Sequence, residues 1–123
     1  PLALQAMGHW AAIAHTAAMR HAQDWVDEVS AEGAADKRLL AGLLAEQVPG
    51  ARYRPGEGTY LAWVDCSGLG LEDPVRAFLE RGRVAFSPGV NFSADHRQWA
   101  RINLATSPAI LTEAVRRMAA ALG

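Results

Sequence analysis

Arg101 is the residue of this chain whose chemical type and surroundings point most directly to a function. It lies in the apolar stretch 99–107, and the two-residue period of a strand places it on one face with Trp99 and Asn103. An arginine keeps its proton in a protein, and its planar fork pairs best with a carboxylate. Two interpretations follow: a salt bridge or solvent-facing edge strand, or an anchor for the carboxylate of a ligand.

The other residues with reactive side chains show no spacing typical of an active site. Cys66 is the only cysteine, which excludes an internal disulfide, and its place after an apolar run indicates a small buried side chain. Lys37, the only lysine, lies on the predicted charged side of a helix. No metal site is predicted, because the four histidines lack the spacing and the accompanying carboxylate of zinc enzymes: His9, His15, His21 and His96.

Composition limits the kinds of partner that the chain can have. Its 123 residues are half apolar, and twelve basic residues against thirteen acidic ones give a net charge of −1. Because no basic run is present, neither a nucleic acid nor an anionic membrane surface is expected as a partner. The Ala-rich start is interrupted by polar residues and resembles neither a signal peptide nor a membrane span. We therefore expect a soluble, cytoplasmic protein.

The first half of the chain is predicted to contain two helices and two strands. The first helix covers about residues 4–30, and a break at Glu32–Gly33 precedes a second helix at about 35–47. A short strand at about 51–54 and a longer one at 59–65 follow. The tight turn that joins these strands predicts an antiparallel pair.

The second half begins with a capped helix, since Asp73 followed by Pro74 is typical of an N-cap and a first helical residue, and Gly82 is the predicted residue after its end. The later elements are, in order, a strand at 83–87, an irregular loop at 88–97, the Arg101 strand and a helix that starts at Ser107–Pro108. The loop carries apolar residues, as loops that line a site often do. The predicted fold class is α+β, a mainly antiparallel small sheet with helices packed on one face, preceded by a long N-terminal helix.

Three stretches resemble, in this order and spacing, the C-terminal small domain of fold-type I enzymes that use pyridoxal phosphate. They are residues 53–66, residues 82–89 with Phe92 after them, and residues 101–106, which read R-x-N-x-A-x. Within the class I/II aminotransferase family, the likeness is greatest to carbon–sulfur lyases of the cystathionine β-lyase type. The long first helix is similar to the helix that joins the two domains in that family.

The resemblance implies that Arg101 binds the α-carboxylate of an amino-acid substrate. Asn103, on the same face, is a second candidate, which either supports the guanidinium or caps the neighbouring backbone. Tyr60 is a third, and it either approaches the site from the adjacent strand or is an ordinary half-buried strand aromatic. No catalytic, cofactor-binding or metal-binding residue is expected in the chain itself.

The resemblance also implies parts that lie outside this chain. In the family, the Schiff-base lysine and the pyridoxal phosphate pocket belong to a larger domain, so the chain is expected to comprise an interdomain helix at 1–30 and the small domain at 31–123, and to be inactive by itself. The full-length protein would be a homodimeric aminotransferase or carbon–sulfur β-lyase acting on amino acids. The alternative is a stand-alone module that binds small carboxylates or dimerises through Trp10 and Trp25, without catalysis.

Overall fold

The computed structural model describes residues 8–123 and divides the chain into two units, the residues up to Glu32 and Gly33–Gly123. In the first unit, helix α1 spans His9–His21, and none of its residues is buried. Helix α2 spans Gln23–Gln47 and ends in the second unit. The predicted start of the first helix, at residue 4, lies outside the described residues.

The breaks between the first two helices differ from the predicted ones. α1 and α2 are separated at Ala22, within the stretch predicted as one helix. The break predicted at Glu32–Gly33 is wrong, because α2 continues through both residues. A glycine inside a helix costs only about 1 kcal/mol relative to alanine. Alanines lie on both sides of Gly33 and favour the helix enough to outweigh that cost.

The N-caps of the two later helices form as predicted. Helix α3 spans Pro74–Glu80, and the Asp73 carboxylate accepts a hydrogen bond from the backbone N–H three residues later, at 3.0 Å. Helix α4 spans Pro108–Ala120, and the Ser107 hydroxyl oxygen accepts the equivalent bond at 3.3 Å. Proline fits the first position of both helices because no helical partner exists there for a backbone N–H.

Four short strands form one antiparallel sheet in the order β1-β2-β4-β3. The strands are β1 Arg52–Tyr53, β2 Leu61–Asp65, β3 Ser87–Pro88 and β4 Trp99–Asn103. β4 therefore lies between β2 and β3, and Arg101 is paired with Trp63 on one side and with Ser87 on the other. The predicted antiparallel pairing of the first two strands is confirmed.

One face of the sheet is buried in the core, and we call the opposite face the outer face. The buried side chains of the sheet alternate along the two long strands: Ala62, Val64, Ala100 and Ile102. They share one apolar cluster with buried residues of three helices: Leu40, Leu44, Val75, Phe78, Leu111, Val115 and Met118. The α+β arrangement with helices on one face of the sheet is confirmed, and the outer face remains for Arg101.

Two predicted strands begin later than expected, and each is preceded by a residue with a left-handed backbone. Thr59 has φ +57°, and β2 starts two residues after it. Arg83 has φ +55°, and β3 starts four residues after it. A positive φ turns the chain out of the extended conformation, and the residue types Thr and Arg give no warning of it. Gly82 follows helix α3 as predicted, and it allows a close approach, since a Cβ there would lie 2.5 Å from the Arg117 carbonyl oxygen.

Candidate functional site

Arg101 lies half-buried on the outer face of the sheet. Its Nη2 donates a hydrogen bond to Ser87 Oγ at 3.4 Å, and its Cζ lies 4.5 Å from the ring centroid of Phe92. A bond of that length is weak. A guanidinium carries five N–H donors, so most of the donor capacity of Arg101 is available to a ligand.

The described residues provide no carboxylate partner for Arg101. Four ion pairs shorter than 4.0 Å occur within residues 8–123, and none includes Arg101: Arg52–Asp65, Arg76–Glu80, Arg116–Glu113 and Arg117–Glu113. Within this part of the chain, the salt-bridge interpretation of Arg101 therefore has no partner.

An open pocket of about 360 Å³ adjoins the guanidinium. Its lining residues are Leu61, Ala85, Phe86, Ser87, Arg101 and Asn103. Arg101 is the one charged side chain in this lining, and the hydroxyl of Ser87 and the amide of Asn103 are its other polar side-chain groups. A small carboxylate in this pocket would meet a cation whose planar fork can donate two parallel hydrogen bonds to it.

Beside the pocket, four aromatic rings form a cluster on the outer face, which we call the aromatic cluster: Trp63, Phe92, His96 and Trp99. Trp63 stacks on Trp99 at 5.7 Å with an interplanar angle of 22°, and Phe92 meets Trp63 edge-on at 5.5 Å. His96 contacts both indoles, and its Nδ1 is buried with no hydrogen-bond partner among the described residues. This cluster was not predicted from the sequence, although the strand period places Trp99 on the face of Arg101.

The predicted loop at 88–97 folds into two short 3-10 turns, Gly89–Asn91 and Ala94–His96, and carries Phe92 to Arg101. The loop therefore brings one of its apolar side chains, Phe92, into contact with Arg101, although Phe92 does not line the pocket. Gly89 is packed so closely that a Cβ there would lie 2.8 Å from Trp99 Cβ and in direct collision with the backbone of His96. The loop conformation thus depends on a glycine at this position.

Of the two other candidate substrate-binding residues, Asn103 and Tyr60, only Asn103 lines the pocket. Asn103 lines the pocket, and its Oδ1 accepts a hydrogen bond from the backbone N–H of Ala105 at 2.8 Å, which is the capping alternative. Tyr60 is 55% exposed and precedes β2, so the expectation of a half-buried strand aromatic is wrong. The Tyr60 side chain does not line the pocket at Arg101, whereas its carbonyl accepts the backbone N–H of Leu104 at 2.8 Å.

Lys37 is not on a solvated helix face, as the sequence indicated, but is 7% exposed. Its Nζ donates hydrogen bonds to the carbonyl oxygens of Gly56, Glu57 and Gly58 at 2.9, 3.3 and 3.0 Å. The ammonium therefore holds the turn before β2. The spacing along helix α2 could not show this, because the three carbonyls are about twenty residues away in the sequence.

The other reactive groups agree with a structural role. Cys66 is fully buried, and burial, with the nearby charge of Asp65, raises the pKa of its thiol to about 12, which disfavours a nucleophilic thiolate. In residues 8–123, no group of three or more His, Cys, Asp or Glu side chains is arranged to hold a metal ion. No helix in the same range is long and apolar enough to cross a membrane.

Known proteins are similar to this chain in both sequence and fold. No protein-family model matches it. A protein named "Putative cystathionine beta-lyase" from Mycobacterium tuberculosis is 41% identical over 93% of this chain and 32% of its own length. The crystal structure of a PLP-bound "putative aminotransferase" from Clostridium difficile has a TM-score of 0.86 at 29% identity and covers 94% of this chain and 30% of that one. A PLP-bound C–S lyase from Staphylococcus hominis has a TM-score of 0.85 at 25% identity, over 96% and 30%.

The similarity to these proteins extends over almost the whole of this chain. It covers only about a third of the relatives, since the chain spans 32% of the length of the mycobacterial protein. Over nearly its whole length the chain is therefore similar to the C-terminal part of pyridoxal-phosphate-dependent aminotransferases and carbon–sulfur lyases of fold type I, and cystathionine β-lyases are among its homologues.

Proposed function

We propose that this chain is the substrate-carboxylate-binding part of a longer pyridoxal-phosphate-dependent enzyme that acts on amino acids, either an aminotransferase or a carbon–sulfur β-lyase. The observation that carries the proposal is Arg101, a half-buried guanidinium beside an open pocket with no carboxylate partner in the described residues. A charged group in that position normally has a partner. We propose that the α-carboxylate of the substrate is that partner.

Arg101 would contribute position and orientation. Two parallel hydrogen bonds from its fork fix a carboxylate in one plane, which a single point charge on a lysine would not do. Holding the substrate in one orientation removes much of the entropic cost of reaction. The free amide end of Asn103, on the same pocket wall, would add a hydrogen bond to the bound group. Tyr60 would take part only if the turn before β2 moved toward the pocket.

The residues of this chain do not fit the cofactor that the family uses. Pyridoxal phosphate is held by a lysine amine, and the one lysine here, Lys37, donates to three backbone carbonyls from a buried position. We therefore propose that residues outside this chain bind the cofactor and perform the proton transfers, and that the chain alone is inactive. A homodimer located in the cytoplasm is proposed for the longer protein.

The test uses the protein with any segment that precedes Pro1 in its coding sequence. Arg101→Ala should lower kcat/KM for amino acids by about 10² to 10³, the scale of a lost charge-assisted pair, ~3–4 kcal/mol. Arg101→Lys keeps the charge without the fork and should recover only part of the loss. Unchanged kinetics in Arg101→Ala would leave Arg101 as a structural residue and end the proposal.

The assay that separates the two reactions compares pyruvate release from cystathionine with acceptance of 2-oxo acids. Pyruvate release without amino transfer would assign a β-lyase, and the reverse would assign an aminotransferase. The second candidate function, a stand-alone carboxylate-binding or dimerisation module, is favoured only by the exposed indoles of Trp10 and Trp25 in the first unit. A start codon immediately before Pro1 would support it.

A further inference from the structure

The guanidinium of Arg101 rests on an aromatic ring. Its Cζ lies 4.5 Å from the centroid of Phe92, within the distance at which a cation is attracted to the negative face of a ring. The other described contact of this guanidinium is the long hydrogen bond to Ser87 Oγ. Phe92 and Ser87 are thus the described supports of a charge that has no carboxylate partner among the described residues.

The side chain of Phe92 is fixed by the aromatic cluster. Its ring meets Trp63 edge-on, at 5.5 Å and an interplanar angle of 83°. Trp63 is the cross-strand partner of Arg101 in the β2–β4 ladder, and its own ring is stacked on Trp99. The strand that carries Arg101 and the ring beneath its guanidinium are therefore held by the same pair of indoles.

The backbone of Phe92 is fixed as well. Its N–H donates to the Gly89 carbonyl at 2.9 Å, which closes the first 3-10 turn of the loop. Gly89 is in turn packed against Trp99 and the His96 backbone without space for a Cβ. Phe92 is 51% exposed, so these contacts, and not burial in the core, hold its ring beside Arg101.

We infer that Phe92 is a positioning residue for substrate binding, which orients the Arg101 guanidinium for an incoming carboxylate; the inference rests on the function proposed above. An aspartate in place of Phe92 would also hold the guanidinium, but it would occupy the donors that the substrate needs. A neutral ring holds the cation by its face and leaves the N–H groups at the edge of the guanidinium plane free. The ring of Phe92 therefore holds the Arg101 guanidinium in place without neutralising its positive charge.

The first experiment measures kcat/KM and equilibrium binding in the protein with any segment that precedes Pro1. Phe92→Leu keeps an apolar side chain but removes the ring face, and it should lower kcat/KM for amino acids and weaken the binding of an unreactive 2-hydroxy acid by about five- to tenfold each. Phe92→Tyr keeps the ring and should stay within about twofold of the parent. Val90→Ala, which removes a 42%-exposed apolar side chain from the same turn, is the matched control and should have no effect.

Two further comparisons show whether Phe92 acts through Arg101. The primary amide of the same hydroxy acid has no carboxylate, and Phe92→Leu should not change its Kd. In the Arg101→Ala background, Phe92→Leu should cause no additional loss, because coupled residues are not additive in a double-mutant cycle. An equal loss for acid and amide, or an additional five- to tenfold loss in the Arg101→Ala background, would overturn the inference.

The outcomes also separate this inference from the proposed function. If Arg101→Ala lowers kcat/KM as expected while Phe92→Leu has no effect, Arg101 binds the carboxylate without help from the ring, and only the inference fails. If Arg101→Ala itself has no effect on kinetics or binding, both fail together.

Discussion

The buried ammonium of Lys37 makes the replacement Lys37→Met a sensitive test of how the second unit is held together. Lys37 joins helix α2 to the turn before β2 through three backbone carbonyls, of Gly56, Glu57 and Gly58. Methionine retains most of the apolar stem and the volume but donates no hydrogen bond. We expect the free energy of unfolding to fall by about 1–2 kcal/mol.

That magnitude is the balance of opposing effects. A hydrogen bond to a charged group contributes about 1.5–3 kcal/mol, so three of them give an upper bound well above the expected change. Gly56, Glu57 and Gly58 are exposed, so water replaces the ammonium at their carbonyls once it is removed. Methionine also avoids the cost of desolvating a charge. These two effects cancel most of the loss.

The assay is urea unfolding of the chain followed by the fluorescence of its tryptophans. With a slope of about 1–2 kcal/mol per molar urea for a protein of this size, the midpoint should fall by about 1 M. Arg38→Met is the matched control, because Arg38 is the adjacent cation on the same helix and is exposed. It should change stability by less than about 0.5 kcal/mol. Equal shifts in the two variants, or a stabilised Lys37→Met, would refute the reasoning.

Two other predictions concern a glycine and an exposed ion-pair network. Gly89→Ala should lower the free energy of unfolding by about 1–3 kcal/mol, because the added Cβ would lie 2.8 Å from Trp99 Cβ. Gly33→Ala should raise it by about 0.5–1 kcal/mol, because Gly33 lies within a helix and has open space around it. Urea unfolding measures both changes. Hydrogen bonds from Arg116 and Arg117 lower the pKa of Glu113 from 4.5 to about 2. The stabilising contribution of the Glu113 carboxylate is therefore complete above about pH 4.5 and is lost as the pH falls through about 2. Glu113→Gln should weaken the acid dependence of the urea midpoint. The effect should be small because these side chains are exposed. Identical acid profiles for parent and variant would contradict this.

The local signals in the sequence predicted the parts of the fold that local chemistry determines. The N-caps at Asp73 and Ser107 need only a side-chain oxygen and the following backbone, and both formed as expected. The two-residue period placed Arg101 and Trp99 on one face correctly. The family resemblance rested on the same strand and on the loop of Phe92, whose contact with Arg101 is present.

The features that the sequence did not predict depend on residues far apart in the chain or on an unusual backbone. Nothing in the helical spacing of Lys37 indicates that its ammonium reaches a turn about twenty residues later. Thr59 and Arg83 have left-handed backbones that their residue types do not indicate, and both precede a strand that starts later than predicted. The aromatic cluster likewise forms only when the loop at 88–97 folds back over β2 and β4.

The edges of the small sheet determine how the second unit can associate. Both outer strands, β1 and β3, have only two residues, and Pro88 in β3 has no backbone N–H to donate. Edges this short offer almost no row of free amides and carbonyls onto which a strand from another chain could be added. The sheet is therefore protected at both sides from growing into a larger one. Association by strand addition is therefore disfavoured, and the outer face offers a ligand side chains instead, among them the guanidinium of Arg101 and the rings around it.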